Sequence, residues 1–474
     1  MNKKKHLFNY YYLYFFLILL MPCELLAENI DMKNIDKNSN SETDLSWTNL
    51  TLDEKIGQMI MARMSGKFHN SSDYSIQDVK YLIQNYNVGG LIMFYGNVHG
   101  AAHNISLFQN LSKTPLLIAS DYERGIGQWM SDGGTLFPSN MAVSATGRFS
   151  NAYEQGAVIA NEAKSLGVHL VLAPVLDINN NPKNPIINLR SYGDSPDVVS
   201  NYGLEFIKGI QDNDLLACAK HFPGHGNTDK DSHSSLPIIS VDKKTINQNE
   251  LIPFKNAIDN NVSSIMIGHL VVPSIDKSNL PATHSYKITT ELLKQDLGFE
   301  GLVITDGLEM GALSTNISNE ESIIRSIEAG ADILLLPIDV VNAVRSIKSA
   351  IKSGRLKEKR IDQSVEKIWK MKAKLGLFSG KGYPDLESIS NIVDIKSHKK
   401  IADKIAQESI TLVKDDKNSV PIKPEKIDNL SHIILTMDDE GKDYLNILSK
   451  EIKRTVRNSR EYFVNYTLDD TLIE

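Results

Sequence analysis

The sequence contains little cysteine. Two residues in 474, Cys23 and Cys218, are too few for a disulfide framework or a cysteine zinc cluster. It has no positive excess either. Its 51 Lys and Arg stand against 58 Asp and Glu, a net charge of -7, so the electrostatic footprint of a general nucleic-acid binder is missing. No GxGxxG follows the first candidate strand, which argues against a dinucleotide-binding, doubly wound sheet. The spacing of His221 and His225 suits zinc only on a helix, and Pro223, Gly224 and Gly226 break one there. Neither a metal nor another cofactor is therefore expected. The one apolar run that stands out, Tyr10 to about Met21, is too short for a comfortable membrane span.

That run follows Lys3, Lys4 and Lys5 and precedes Leu25-Leu26-Ala27. A basic start, a short apolar stretch and a small-residue exit read as a secretory signal peptide over residues 1–27, cleaved after Ala27. The protein is then expected to be exported, periplasmic or extracellular. A competing reading attaches lipid at Cys23, although Pro22 sits where a small flexible residue belongs. Contact with a membrane would come only through that segment. Residues 28–46 are polar and without period, a flexible lead-in.

From Trp47 onward the sequence looks like a folded protein. Hydrophobic residues make up 41 % and charged residues 23 %, ordinary for a globular chain. Apolar, β-rich runs at 90–94, 115–119, 168–173, 215–219, 264–267, 301–304 and 331–336 alternate with helical patterns such as 151–166 and 319–329. Strands apolar on both faces, alternating with helices, imply a parallel sheet covered on both sides. The fold class is α/β, a (β/α)8 TIM-like barrel over residues 47–380, with an irregular first unit. It closes with a helix near 362–377, where Gly376 suits the C-cap. A linker is expected over 381–398. Beyond it, 399–474 reads as a partial α/β sandwich domain, with a helix at 399–408 and strands at Ile410–Val413 and Ile433–Leu435. So short a piece would leave apolar edges uncovered and be the least stable part.

Active sites of such barrels sit at the C-terminal ends of the strands. Five consecutive runs end in polar groups: Asp121, Asp177 (with Arg190 beyond it), Lys220-His221, Gly268-His269 and Thr305-Asp306. Each has a bland alternative. Arg190 could pair with Asp194 and Lys220 with Asp177, and Asp306 could cap the next helix. His233 could be a solvated loop residue. Together the five exceed what packing needs.

Three stretches share their pattern with one known family. KHFPGHG (220–226) followed by Asp231-Ser232-His233 resembles the signature of glycoside hydrolase family 3, in its β-N-acetylglucosaminidase branch. APVLD (173–177) followed by Arg190-Ser191-Tyr192-Gly193, and GLVITDGLEM (301–310), resemble two further motifs of that family, in the expected order. The resemblance implies that Asp306 is the nucleophile and that His233 is the acid/base, held by Asp231. It also implies that Asp121, Arg190, Lys220 and His221 hold the terminal sugar. His225 then braces the loop, with His269 behind the site.

The implied activity is that of an exported, retaining β-N-acetylhexosaminidase. Its partner would be a carbohydrate: an oligosaccharide or peptidoglycan fragment ending in N-acetylglucosamine. Alternatives are a phosphorylase or a β-glucosidase on the same site, or a carbohydrate-binding relic without turnover. The run Tyr122-Glu123-Arg124-Gly125-Ile126 departs from the family's usual Gln-Glu-Gly-Gly-Arg. A basic residue common in cell-wall recyclers is replaced near Trp129, and Gly307 stands where a polar residue is usual. These departures point away from a muropeptide.

Overall fold

The computed structural model describes residues 46–465, apart from 234, 315–316, 422, 428, 437–441 and 457. The expected signal peptide, Cys23 and the lead-in up to residue 45 lie outside the described residues. Eight short strands make one parallel sheet: β1 (Ile60–Arg63), β2 (Gly90–Met93), β3 (Leu117–Ser120), β4 (Leu170–Val171), β5 (Leu216–Phe222), β6 (Ser264–Ile267), β7 (Leu302–Thr305) and β8 (Leu334–Leu335). Their order is β7-β6-β5-β4-β3-β2-β1-β8. A parallel bridge between Ile304 and Ile333, with Thr305 N–H donating to the Ile333 carbonyl at 3.1 Å, brings the two ends together. The sheet thus curls into a nearly closed barrel. Every residue of β2, β3, β5, β6 and β7 is buried, as strands packed on both faces require.

The helices start and stop where local chemistry satisfies their ends. Thr51 and Glu54 form a reciprocal capping box at the start of Leu52–Gln58. Ser318 caps Asn319–Ala329, and Ser150–Ser165 covers the other helix expected from periodicity. The closing helix, Glu358–Lys374, buries Ile361, Val365 and Ile368 and is followed by Gly376 at φ +70°. No candidate strand was marked at β1. It follows Leu52–Gln58 after a single residue, so its apolar residues merge with the helical pattern before them. Among the described residues, no helix is long and apolar enough to cross a membrane.

After the barrel, helix Lys396–Glu408 packs on the helices Asn140–Ala145 and Ser150–Ser165. Glu162, itself buried, is the anchor. Its carboxylate accepts the Thr135 N–H (2.8 Å) and hydroxyl (2.6 Å), the Asp394 N–H (2.9 Å) and His398 Nδ1 (2.7 Å). Burial opposes its charge, but these bonds win and hold the carboxyl below its ordinary pKa. Glu162→Ala should destabilise the fold by about 3 kcal/mol, because several buried donors lose one acceptor together. Urea melts of the two proteins would measure it, and a difference within experimental scatter would refute the anchoring role.

Farther on, β9 (Leu430–Thr436) and β10 (Ser459–Asn465) run parallel, with helix Lys442–Thr455 between them. The expected strand at Ile433–Leu435 lies inside β9. The one expected at Ile410–Val413 does not form. Ile410 and Val413 are 83 % and 92 % exposed, and among the described residues no strand pairs with that segment. Ile433, Ile447 and Leu448 also face solvent, so apolar exposure is concentrated beyond residue 409.

Candidate active site

The polar strand ends converge. Asp121 follows β3, Lys220 and His221 lie near the end of β5, and Asp306 follows β7 directly. Arg190 sits in the long loop after β4, and Asp231 and His233 sit in the loop after β5. Asp121, Arg190, Lys220, His221, His233 and Asp306 line one cavity of about 560 Å³, and Asp231 stands behind His233. A larger cleft, about 730 Å³, opens beside helices at the opposite, N-terminal side of the strands and contains none of these groups.

On one side of the cavity lies a buried charge cluster. Glu123 grips the Arg190 guanidinium with both carboxylate oxygens, at 3.0 and 2.8 Å, and accepts from Lys220 Nζ at 2.8 Å. Lys220 also reaches Asp121 at 2.5 Å. The suggested pairings Arg190–Asp194 and Lys220–Asp177 are therefore not the ones formed. The reason is position: the loop after β3 carries Glu123 between the two cations. Burial pushes the Glu123 carboxyl up, but Arg190 and Lys220 outweigh it and hold the pKa far below the ordinary value of 4.5. Lys220 is shifted the other way, upward, since Asp121 and Glu123 outweigh its burial. A third guanidinium bond goes from Nη1 to the Ile186 carbonyl at 3.3 Å, leaving two of the five Arg190 N–H groups for a ligand.

Glu123 was the residue that sequence reasoning passed over. Lys220 is buried and Arg190 half-buried, and two cations so placed require more counter-charge than Asp121 alone supplies. Glu123→Gln should cost about 3–5 kcal/mol of stability, because it takes from Arg190 its carboxylate partner and leaves Lys220 with Asp121 alone. The depressed pKa also sets a direction with pH. The stability from Glu123 is present in full above pH 4.5 and is lost as the pH falls from there. Thermal melts of both proteins at pH 7 and below pH 4 would check this. The wild-type advantage should shrink in acid, and a constant gap would contradict the account.

Asp177 is the second hub. It is buried and accepts His221 Nδ1 at 2.7 Å and the backbone N–H groups of His221 and His225, at 3.2 and 2.7 Å. The His221 ring is thereby fixed toward the cavity. Burial raises the Asp177 carboxyl, but the two histidines outweigh this and keep it ionised. Asn184 donates to the carbonyls of His225 and Gly226, at 2.9 and 2.8 Å. At Gly226 a Cβ would sit 1.7 Å from the Ile178 carbonyl oxygen, so only glycine fits. The buried His225 ring, its pKa pushed down to about 4 by burial, meets the Ser232 hydroxyl at 2.9 Å. His225 thus braces the loop at the residue between Asp231 and His233.

That loop holds an imidazole–carboxylate pair. Asp231 Oδ1 lies 2.7 Å from His233 Nδ1 and accepts the His233 backbone N–H at 2.9 Å. The carboxylate places the proton on Nδ1 and leaves Nε2 to exchange one. The His233 side chain is 59 % exposed. Its carbonyl accepts from Gly311 N–H at 3.1 Å, which ties the loop to the segment after β7.

Asp306 is fixed by backbone. Its N–H donates to the Ile267 carbonyl at 3.0 Å, and Oδ1 accepts the Gly307 N–H at 2.8 Å. Burial raises its pKa, but His221, His269, the Gly307 N–H and Lys220 bring it below the ordinary range. Its carboxylate is therefore charged at neutral pH. Behind it, His269 bridges Thr283 Oγ1 (2.7 Å) and the Gly307 carbonyl (3.0 Å), a brace for the turn rather than part of the cavity wall. Among the described residues, no group of three His, Cys, Asp or Glu is placed to hold a metal ion.

The strand ends of the barrel thus carry a fixed carboxylate, an imidazole–carboxylate pair and a cluster of paired charges around one cavity, the arrangement of an active site at the C-terminal face of a barrel. Comparison with known families matches residues 51–371 to the glycosyl hydrolase family 3 N terminal domain. The chain belongs to that family. It is 32 % identical to beta-hexosaminidase A of Pseudoalteromonas piscicida, over 83 % of this chain and 71 % of that protein. A solved family 3 beta-N-acetylglucosaminidase from Paenibacillus sp. str. FPU-7 superposes with a TM-score of 0.77 at 32 % identity, covering 88 % of this chain and 80 % of the other. A beta-glucoside phosphorylase, BglX, bound to 2FGlc, superposes with a TM-score of 0.81 at 27 % identity, covering 88 % and 76 %.

Proposed function

We propose that the protein is an exported, retaining β-N-acetylhexosaminidase that removes terminal N-acetylglucosamine from oligosaccharides. The observation that carries this reading is the Asp231–His233 pair in the loop over the same cavity as Asp306. Asp306 attacks the anomeric carbon, and His233 protonates the departing oxygen. Water then enters, His233 takes its proton, and the glycosyl-Asp306 ester is hydrolysed with net retention. Asp231 keeps the imidazole in the right tautomer and stabilises its charged form. Asp121, Arg190, Lys220 and His221 hold the terminal sugar through its hydroxyls. The relatives' names support the substrate class, and the leader pattern of residues 1–27 supports export.

Release of nitrophenol from a chromogenic N-acetylglucosaminide tests the reading. Wild-type release well above that of Asp306→Asn is expected, and equal release by the two would refute it. One observation favours a second reading. The likeness to a phosphorylase allows phosphate to take the place of water on the same intermediate. Formation of N-acetylglucosamine 1-phosphate, rising with phosphate concentration, would decide for it.

A further inference from the structure

The Glu123–Arg190 pair is itself held from behind. Gln155, in the helix Ser150–Ser165, donates through Nε2 to the Glu123 carbonyl at 3.2 Å. Asn140, which opens the helix Asn140–Ala145, donates through Nδ2 to the Arg190 carbonyl at 2.7 Å. Each member of the ion pair thus has its main chain tied to one of two helices. Glu162 comes seven residues after Gln155, two turns along the same helix face. Its grip on the Thr135 N–H and hydroxyl makes a second tie to the loop after β3. The Thr135 carbonyl accepts the Gly127 N–H at 3.3 Å, and the Phe137 N–H donates to the Arg124 carbonyl at 2.8 Å. Gly125 has φ +99°, and a Cβ there would lie 2.1 Å from the Thr135 carbonyl oxygen, so the two arms of this loop touch backbone to backbone just past Glu123.

The segment after the barrel presses on these same two helices. Helix Lys396–Glu408 is bonded to Ser150–Ser165 through Glu408 and Asn151 (2.9 Å) and through Lys404 and Glu154 (3.2 Å). From its first turn His398, only 12 % exposed, brings Nδ1 to Glu162 Oε1 at 2.7 Å, the oxygen that also accepts the Thr135 hydroxyl. We propose that His398 is a positioning residue for sugar binding. By holding the Glu162 carboxylate it fixes the arm at Thr135, and that arm fixes Glu123 and with it the Arg190 N–H groups left for a ligand. The inference rests on the proposed glycosidase reading and gives the segment beyond the barrel a part in binding the terminal sugar. Without His398, the buried carboxylate loses a donor and turns, and Thr135 must follow it. Asp306 and His233 are anchored elsewhere, through the Ile267 carbonyl, the Gly307 N–H and the Gly311 N–H. The sugar is then held less tightly in ground state and transition state alike, while the reacting groups stay in place.

The test compares wild type, His398→Ala and His398→Asn on a chromogenic N-acetylglucosaminide, at a temperature where melts show each protein folded. His398→Ala should raise KM about tenfold and change kcat by less than about twofold, the pattern of binding lost equally in ground and transition states. An asparagine amide can stand where Nδ1 stood, so His398→Asn should bring KM back to within about threefold of wild type. Thr135→Val removes the other side-chain bond to Oε1 and should raise KM in the same way, which decides the matter if His398→Ala does not fold. An unchanged KM in the folded variants, however far their melting temperatures fall, would make the contact merely structural and overturn the inference. So would a loss confined to kcat, or a His398→Asn protein no better than His398→Ala. A wild type that releases no nitrophenol refutes the glycosidase reading and the inference together. Normal wild-type turnover with insensitive variants refutes the inference alone.

Discussion

Asp306→Asn should lower kcat/KM on an aryl N-acetylglucosaminide by about ten-thousandfold or more, with the fold intact. A covalent route divides one difficult displacement into two easier ones, and the nucleophile is the part that nothing else in the cavity replaces. Asp306 suits that part. Backbone bonds fix its position, and nearby cationic and N–H groups keep it ionised although it is half-buried. Glu309 is the nearby alternative, but its carboxylate is committed to Arg63 at the rim. Shortening the side chain gives a sharper form of the test. Asp306→Ala leaves space for azide on the nucleophile's side of the ring. Added azide should then restore turnover and give a glycosyl azide of inverted configuration. Rescue without inversion, or a variant as active as the wild type, would remove Asp306 from this role.

His233→Ala is expected to cost about a hundredfold to ten-thousandfold, depending on the leaving group. A poor leaving group needs the proton and should show the full loss. A dinitrophenolate needs none, so its first step should proceed almost normally, and the intermediate should then accumulate because the general base is also missing. A burst of dinitrophenol followed by slow turnover is the expected trace. Equal losses on good and poor leaving groups would show that His233 shapes the pocket rather than transferring a proton.

The strand-end residues were legible for a physical reason. A parallel strand buried on both faces reads as an apolar run, so a charge directly after it is conspicuous. Asp121, Lys220, His221 and Asp306 were all found in this way, and the structure gathers them around one cavity. The Asp231–His233 pair needed the motif, because a loop's geometry leaves no periodic trace. Glu123 was hidden for the same reason. It lies in an irregular turn, and its importance comes from two cations that are 67 and 97 residues away in sequence. The charge count offered the available signal, since two cations drawn largely out of water need more than one carboxylate. At β1 a helix runs almost directly into a strand, and the two periods overlap. At Ile410–Val413 composition suggests a strand, but pairing depends on a neighbour, and none is there among the described residues.

The central claim is a covalent bond between the sugar and Asp306. A 5-fluoro-N-acetylglucosaminyl fluoride tests it most directly. The ring fluorine slows both steps, and the good leaving group lets the first proceed. Mass spectrometry of the intact protein should then show one added glycosyl unit, and peptide mapping should place it on Asp306. A protein that turns over the chromogenic substrate yet carries no adduct, or carries it on another carboxylate such as Glu309, would contradict the account.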